Sequence, residues 1–210
     1  MIREHFLPLR VTRLTESTTL YRQKQHLPER VSFESSALDV MTDFKQLPAQ
    51  TIEPEVSIEE ANAKMIRQGV RLLFVTDAQN HLLGLITATD ILGGPVLQAM
   101  LGRGVPHEEV LVHEIMTPRD RLEAIDIGDL RGAKVGHVLA TLKQAGRQHA
   151  IVIEVHEPTF DERLTMQKPV VTQTVCGLFS ATQIARQLGL QLQSADLAVT
   201  FAELQALLTH

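Results

Sequence analysis

The sequence predicts an α/β (α+β) chain built from two like units that pack against each other. Three observations predict it. A segment from Asp39-Val40-Met41-Thr42 to Gly84-Leu85-Ile86-Thr87-Ala88-Thr89-Asp90-Ile91 returns as Glu114-Ile115-Met116-Thr117 to Gly177-Leu178-Phe179-Ser180-Ala181-Thr182-Gln183-Ile184. Each copy alternates short apolar runs of strand length with helical periodicity. A unit that cannot bury its own apolar face buries it against a twin, which leaves a cleft between the two.

The elements follow in order. Residues 1–38 are a polar N-terminal arm with scattered apolar residues and a Ser-rich end; no stable fold is assigned to it, and it reads as a partly ordered arm that packs on the module or on a partner chain. Thr51-Ile52 is a short strand. Ser57 and Glu60 have capping-box spacing, Ile58, Ala61, Met65 and Ile66 recur at helical intervals, and Gly69 stops the helix. Leu72 to Val75 is a buried strand, Asp77-Ala78-Gln79-Asn80 a turn, and Leu82 to Ile86 the return strand. Thr87 to Asp90 opens a helix that ends near Gly93-Gly94-Pro95, closing a first repeat over 39–95. Residues 96–113 read as a linker helix.

The second repeat, 114–190, keeps the order: a helix from Val135 to Leu142 ended by Gly146, a strand from Ala150 to Ile153, and a return strand from Val175 to Phe179. Met41 and Met116 lie 75 positions apart and Gly69 and Gly146 lie 77 apart, but Gly84 and Gly177 lie 93 apart. The second hairpin therefore carries an insertion near 155–172, a length usual for functional loops. A C-terminal extension, 191–210, contains a capping-box pattern at Thr200 to Glu203 before a short apolar helix.

Bulk properties exclude several classes. The 210 residues are 44% hydrophobic, with no apolar run of membrane-spanning length and no signal-peptide core at the N-terminus. The lone cysteine, Cys176, lies in an apolar strand and reads as a small buried hydrophobe, so the expected compartment is the cytoplasm. A net charge of −5 opposes a nucleic-acid-coating role, and no Trp and a single Tyr leave little for base stacking. Nine histidines show no tight ligand spacing, and the acidic stretch around His156, Glu157, Asp161 and Glu162 reads as a solvated loop, so no metal site is expected. Neither a phosphate loop nor a nucleophile turn is present, and no catalytic residues are expected.

Val40-Met41-Thr42, the helix ending in Gly69-Val70-Arg71, the strand Leu72 to Val75, and Gly84 to Ile91, all repeated in order, resemble a tandem pair of cystathionine-β-synthase (CBS) domains over about residues 38–190. The resemblance implies two β-α-β-β-α repeats packed by their sheets into a pseudo-two-fold module, a homodimer, and a regulatory rather than catalytic role. It implies an adenosyl ligand: AMP, ADP, ATP or S-adenosylmethionine. By position it places Thr42, Leu47 and Ala49 near the adenine, with Val70, Arg71 and Leu72 beside it. Asp90 then takes the ribose, with the Thr87 hydroxyl on ribose or phosphate; Arg147 or His149 meets the phosphates of this first site, and Arg71 those of the second.

Local chemistry permits the Asp90 assignment, since a carboxylate at a helix start accepts from ribose hydroxyls as acidic residues do in dinucleotide folds. It equally permits a plain cap, with Thr87 and Asp90 serving only the first helical turn. In the second copy Gln183 replaces the Asp. An amide lacks the charge-assisted strength of a carboxylate, so one competent site per chain is expected, built on Asp90, while Ser180 and Thr182 keep the hydroxyls. Two functions remain open: a nucleotide sensor that signals to a regulated partner protein, and a ligand-free dimerisation module.

Overall fold

The computed structural model describes residues 25–158 and 171–190. Two four-stranded sheets face each other. The first half supplies β1 (Thr42–Asp43), β2 (Thr51–Ile52), α1 (Ile58–Gln68), β3 (Leu72–Thr76), β4 (Leu82–Thr87), α2 (Ala88–Leu92) and α3 (Gly94–Arg103). After α4 (Val112–Ile115), the second half supplies β5 (Thr117–Pro118), β6 (Ala124–Asp126), α5 (Val135–Ala145), β7 (His149–His156), β8 (Thr172–Ser180) and α6 (Ala181–Gln187).

The sheet orders are β2-β3-β4-β5 and β1-β8-β7-β6. Each sheet thus takes its fourth strand from the other half. Thr42 and Asp43 pair antiparallel with Leu178 and Gly177, and Thr117 and Pro118 pair with Leu85 and Gly84. The recurring Gly of each return strand has a physical reason here. A Cβ at Gly84 would lie 2.5 Å from the Thr117 carbonyl oxygen, and one at Gly177 would lie 2.7 Å from Met41 Sδ and 3.1 Å from the Thr42 carbonyl oxygen. Only a residue without a side chain lets the exchanged strand approach so closely.

Strand alternation sorts the apolar side chains into three layers. Leu73, Val75 and Ile86 face α1 and Ile91, with Val110, Val112 and Ile115 closing that core. Val152, Cys176 and Phe179 face Val138, Leu139, Leu142 and Ile184. Leu72, Phe74, Leu85 and Ile151 meet between the sheets, joined by Phe44, Leu122, Val175 and Leu178. The helix stops at Gly69 and Gly146 are left-handed, at φ 64° and 62°, as the glycines at the ends of the periodic runs imply.

Two elements depart from the sequence reading. α3 begins at Gly94, because Pro95 in its first turn leaves intact the hydrogen bonds a helix requires. β7 and β8 run on to a His156–Thr172 pair, so the ends of the 155–172 insertion lengthen the hairpin; residues 159–170 lie outside the described residues. The last part of the N-terminal arm is ordered against the second half: Val31 and Phe33 pack on its core, and Val31 N–H donates to the Gln187 carbonyl at 2.9 Å. Residues 1–24 and the expected helix at 201–208 also lie outside the described residues.

Candidate functional site

The starts of α2 and α6 lie near the same end of the cleft, and their chemistry differs. At α2, Thr87 ends β4 and caps the helix: its hydroxyl accepts from Asp90 N–H at 3.3 Å. In return Asp90 Oδ2 accepts from Thr87 N–H at 2.8 Å and from the Thr87 hydroxyl at 2.7 Å. This reciprocal cap fixes the carboxylate and occupies one of its oxygens. Oδ1 carries no hydrogen bond to the described residues. At α6, Ser180 makes no capping bond, and Gln183 reaches away from its own helix start to the exchanged strand. Gln183 Oε1 accepts from the Thr42 hydroxyl at 3.4 Å, and Nε2 donates to the Val40 carbonyl at 3.3 Å.

Two cavities adjoin these starts. The larger, about 420 Å³, lies between the chain after β1 and the start of α6; its wall includes Phe44, Leu47, Val70, Leu178, Gln183 and Arg186. No carboxylate of the described residues lines it. The smaller, about 240 Å³, is lined by Leu85, Thr87, Asp90, Thr117 and the Gly146–His149 segment. Arg71, Leu72 and His149 border both. Arg71 is half-buried, and its side chain makes no hydrogen bond or ion pair with the described residues. Burial, and then the neighbouring Arg71 cation, push the His149 imidazole down to about 4, so it is uncharged at neutral pH.

The ten residues that the sequence groups at one site are divided by this geometry. Thr42, Leu47 and Val70 line the larger cavity, Thr87, Asp90 and Arg147 line the smaller, and Arg71, Leu72 and His149 are common walls. Ala49 lies in a third recess of about 640 Å³ toward the hairpin ends, with Phe74, His81 and Arg119. The strand exchange causes the division. It carries Thr42 to Gln183 and brings Thr117 to Asp90, whereas the sequence reading joins Thr42 with Asp90. Arg147 is also held elsewhere, donating to the Arg121 carbonyl at 3.3 Å and lying 4.0 Å from Glu123. Thr117 and Arg186 were missed; the repeat itself marks Thr117, since Met116-Thr117 copies Met41-Thr42.

Comparison with known proteins agrees with this architecture. Residues 37–95 match the model of the CBS domain family. No curated protein matches the chain in sequence. Among solved structures, an uncharacterized conserved protein from Pyrococcus horikoshii is similar at a TM-score of 0.50 and 18% identity, over 79% of this chain and 100% of that one. A protein from Methanocaldococcus jannaschii is similar at 0.50 and 17% identity, over 73% of this chain and 49% of that one. A CBS-domain containing protein from Agrobacterium tumefaciens is similar at 0.49 and 17% identity, over 80% and 98%. Likeness at this level of identity speaks to the fold.

Proposed function

We propose that this chain, whose residues 37–95 match the CBS domain family, is a regulatory module that binds an adenosyl ligand in the cleft between its halves and signals occupancy to a partner protein. The observation that carries this reading is the state of Asp90. Among the described residues its carboxylate is fixed through Oδ2 by the Thr87 cap while Oδ1 is left without a partner, and Arg71 at the same cavity has neither a side-chain hydrogen bond nor an ion pair. A fixed carboxylate accepts from vicinal hydroxyls without losing side-chain freedom on binding. A half-buried guanidinium lacking a counter-ion favours an anion. A ribose bearing a phosphate supplies both groups. AMP, ADP and ATP fit this description; S-adenosylmethionine supplies the ribose and a carboxylate.

The proposed module acts as a homodimer. Leu92, Leu97 and Leu101 on α2 and α3 are 84%, 57% and 76% exposed, and an apolar cluster of this kind favours a protein partner. The same leucines, with Gln183 engaged by the chain itself, favour the second reading, a ligand-free dimerisation module.

Calorimetric titration with AMP, ADP, ATP and S-adenosylmethionine separates the two. The control is Asp90→Asn, because Asp90→Ala would also remove the cap. Saturable binding that falls at least about tenfold in Asp90→Asn, in proportion to a lost charge-assisted bond, is the expected result. Absence of heat and of thermal stabilisation with all four ligands would reject the sensor and leave the interaction module.

A further inference from the structure

Three glutamines converge where the N-terminal arm meets the second half. Gln25 Nε2 donates to the Met41 carbonyl at 2.7 Å, and its Oε1 accepts from Asp43 N–H at 2.9 Å, so one side chain continues the edge of β1. Gln187 Nε2 donates to the Pro28 carbonyl at 2.7 Å and to the Asp39 carbonyl at 3.2 Å. Gln183 Nε2 lies between them, donating to the Val40 carbonyl and, at 3.5 Å, to Gln187 Oε1. Among the described residues Gln187 is the one fully buried polar side chain, at 7% exposure. A buried amide must be satisfied, and here the partners come from the arm and from the segment leading into β1.

We propose that Gln183, Gln187 and Gln25 form a latch that fastens the N-terminal arm and β1 to α6, and that Gln183 is a positioning residue of this latch instead of a weakened ribose ligand. The chemistry of the substitution supports the assignment. At the matching place in the first half, Asp90 folds back on Thr87 through Oδ2, and Oδ1 has no partner among the described residues. Gln183 is one methylene longer and carries an N–H₂ donor, and the backbone carbonyl of Val40 takes that donor. A carboxylate there would face the Val40 carbonyl and Gln187 Oε1 with no proton to share. Thr42 and Gln183 are also walls of the larger cavity, so the latch sets the shape of that cavity from behind.

Amide exchange followed by NMR tests the latch without any ligand. Each variant is read at an amide that its side chain does not contact. In Gln187→Ala, exchange at Asp43 is expected to accelerate about tenfold or more, as for release of a locally ordered segment. In Gln25→Ala, the same is expected at Val31. Leu73 and Ile86, in the first sheet, keep their rates and separate local release from global unfolding. If either variant unfolds globally, the other supplies the reading. Acceleration confined to the directly bonded amide, or none, overturns the latch.

Gln183→Asp tests the role of that residue. Faster exchange at Asp43 and Val31 with no added equivalent of AMP is the expected outcome. Unchanged arm exchange overturns the assignment, and an added equivalent of AMP would return Gln183 to ligand recognition. If the wild-type chain takes up none of AMP, ADP, ATP and S-adenosylmethionine, the sensor reading fails, while the exchange rates still decide the latch.

Discussion

Replacing Gly84 by alanine tests the strand exchange on which the whole cleft depends. The added Cβ would sit 2.5 Å from the Thr117 carbonyl oxygen, 3.0 Å from Met116 Sδ and 3.2 Å from Pro118 Cα. The first and last of these are backbone, so no rotamer change relieves the contact; β5 must lift off β4 or the sheet must distort. Overpacking of this kind costs about 1–3 kcal/mol. For a chain of this size each 1 kcal/mol moves the melting point by about 2–4 °C, so Gly84→Ala should melt several degrees low. Gly102→Ala is the matched control. Gly102 lies inside α3 with nothing within 4 Å of the added atom, and removing a helical glycine there should stabilise by up to about 1 kcal/mol. Urea titrations of the three proteins, read by circular dichroism, supply the comparison. Gly84→Ala as stable as the wild type would refute the close approach of β5 and with it the placement of Thr117 beside Asp90.

The remaining expectations concern charge. His149 has an ordinary value of 6.5 and is pushed down to about 4 by burial. The unfolded chain therefore binds the extra proton first, and stability falls as pH drops through that window. His149→Gln should flatten the stability profile between those values, and an unchanged profile would take His149 out of the wall shared by the two cavities. Glu114 accepts from Leu111 N–H and from Arg103, both at 2.7 Å. Those two partners, the backbone bond first, hold its carboxyl below the usual 4.5. Its contribution is present at neutral pH and is lost as acid takes the pH down through the lowered folded value. Glu114→Gln should cost about 1–3 kcal/mol at neutral pH, the range for a hydrogen-bonded charge, and denaturant titration at neutral and acid pH would show the penalty shrinking in acid.

Much of the fold was legible because repetition makes each local signal count twice. The left-handed stops at Gly69 and Gly146, the buried run at Leu72 to Val75 and the cap at Thr87 each rest on chemistry within a few residues. Strand exchange does not. β1 and β5 are two residues long, and nothing in Thr42-Asp43 or Thr117-Pro118 says which edge they join; the choice is made by Gly177 and Gly84, far off in the chain. The reading therefore kept Thr42 with Asp90. Gln183 was legible as a departure, while its partners were not, since Val40, Gln187 and the arm converge only in three dimensions. Arg71 was visible as a candidate, but its lack of a counter-ion among the described residues is a property of the packed cleft.

The exchange also decides what counts as one structural body here. Severed from the other, either half would be a three-stranded sheet with a raw edge at its return strand, open to any passing strand, and would carry a spare strand of its own shaped for the same vacancy in another molecule. Two copies of a half would each hold what the other lacks. Closure thus belongs to the pair, as in domain-swapped dimers, with the difference that a tether places both members in one chain. The linker between α3 and β5 then serves to keep the two members together in equal number, and the freedom to drift apart in sequence, as Asp90 and Gln183 have, comes with that tether.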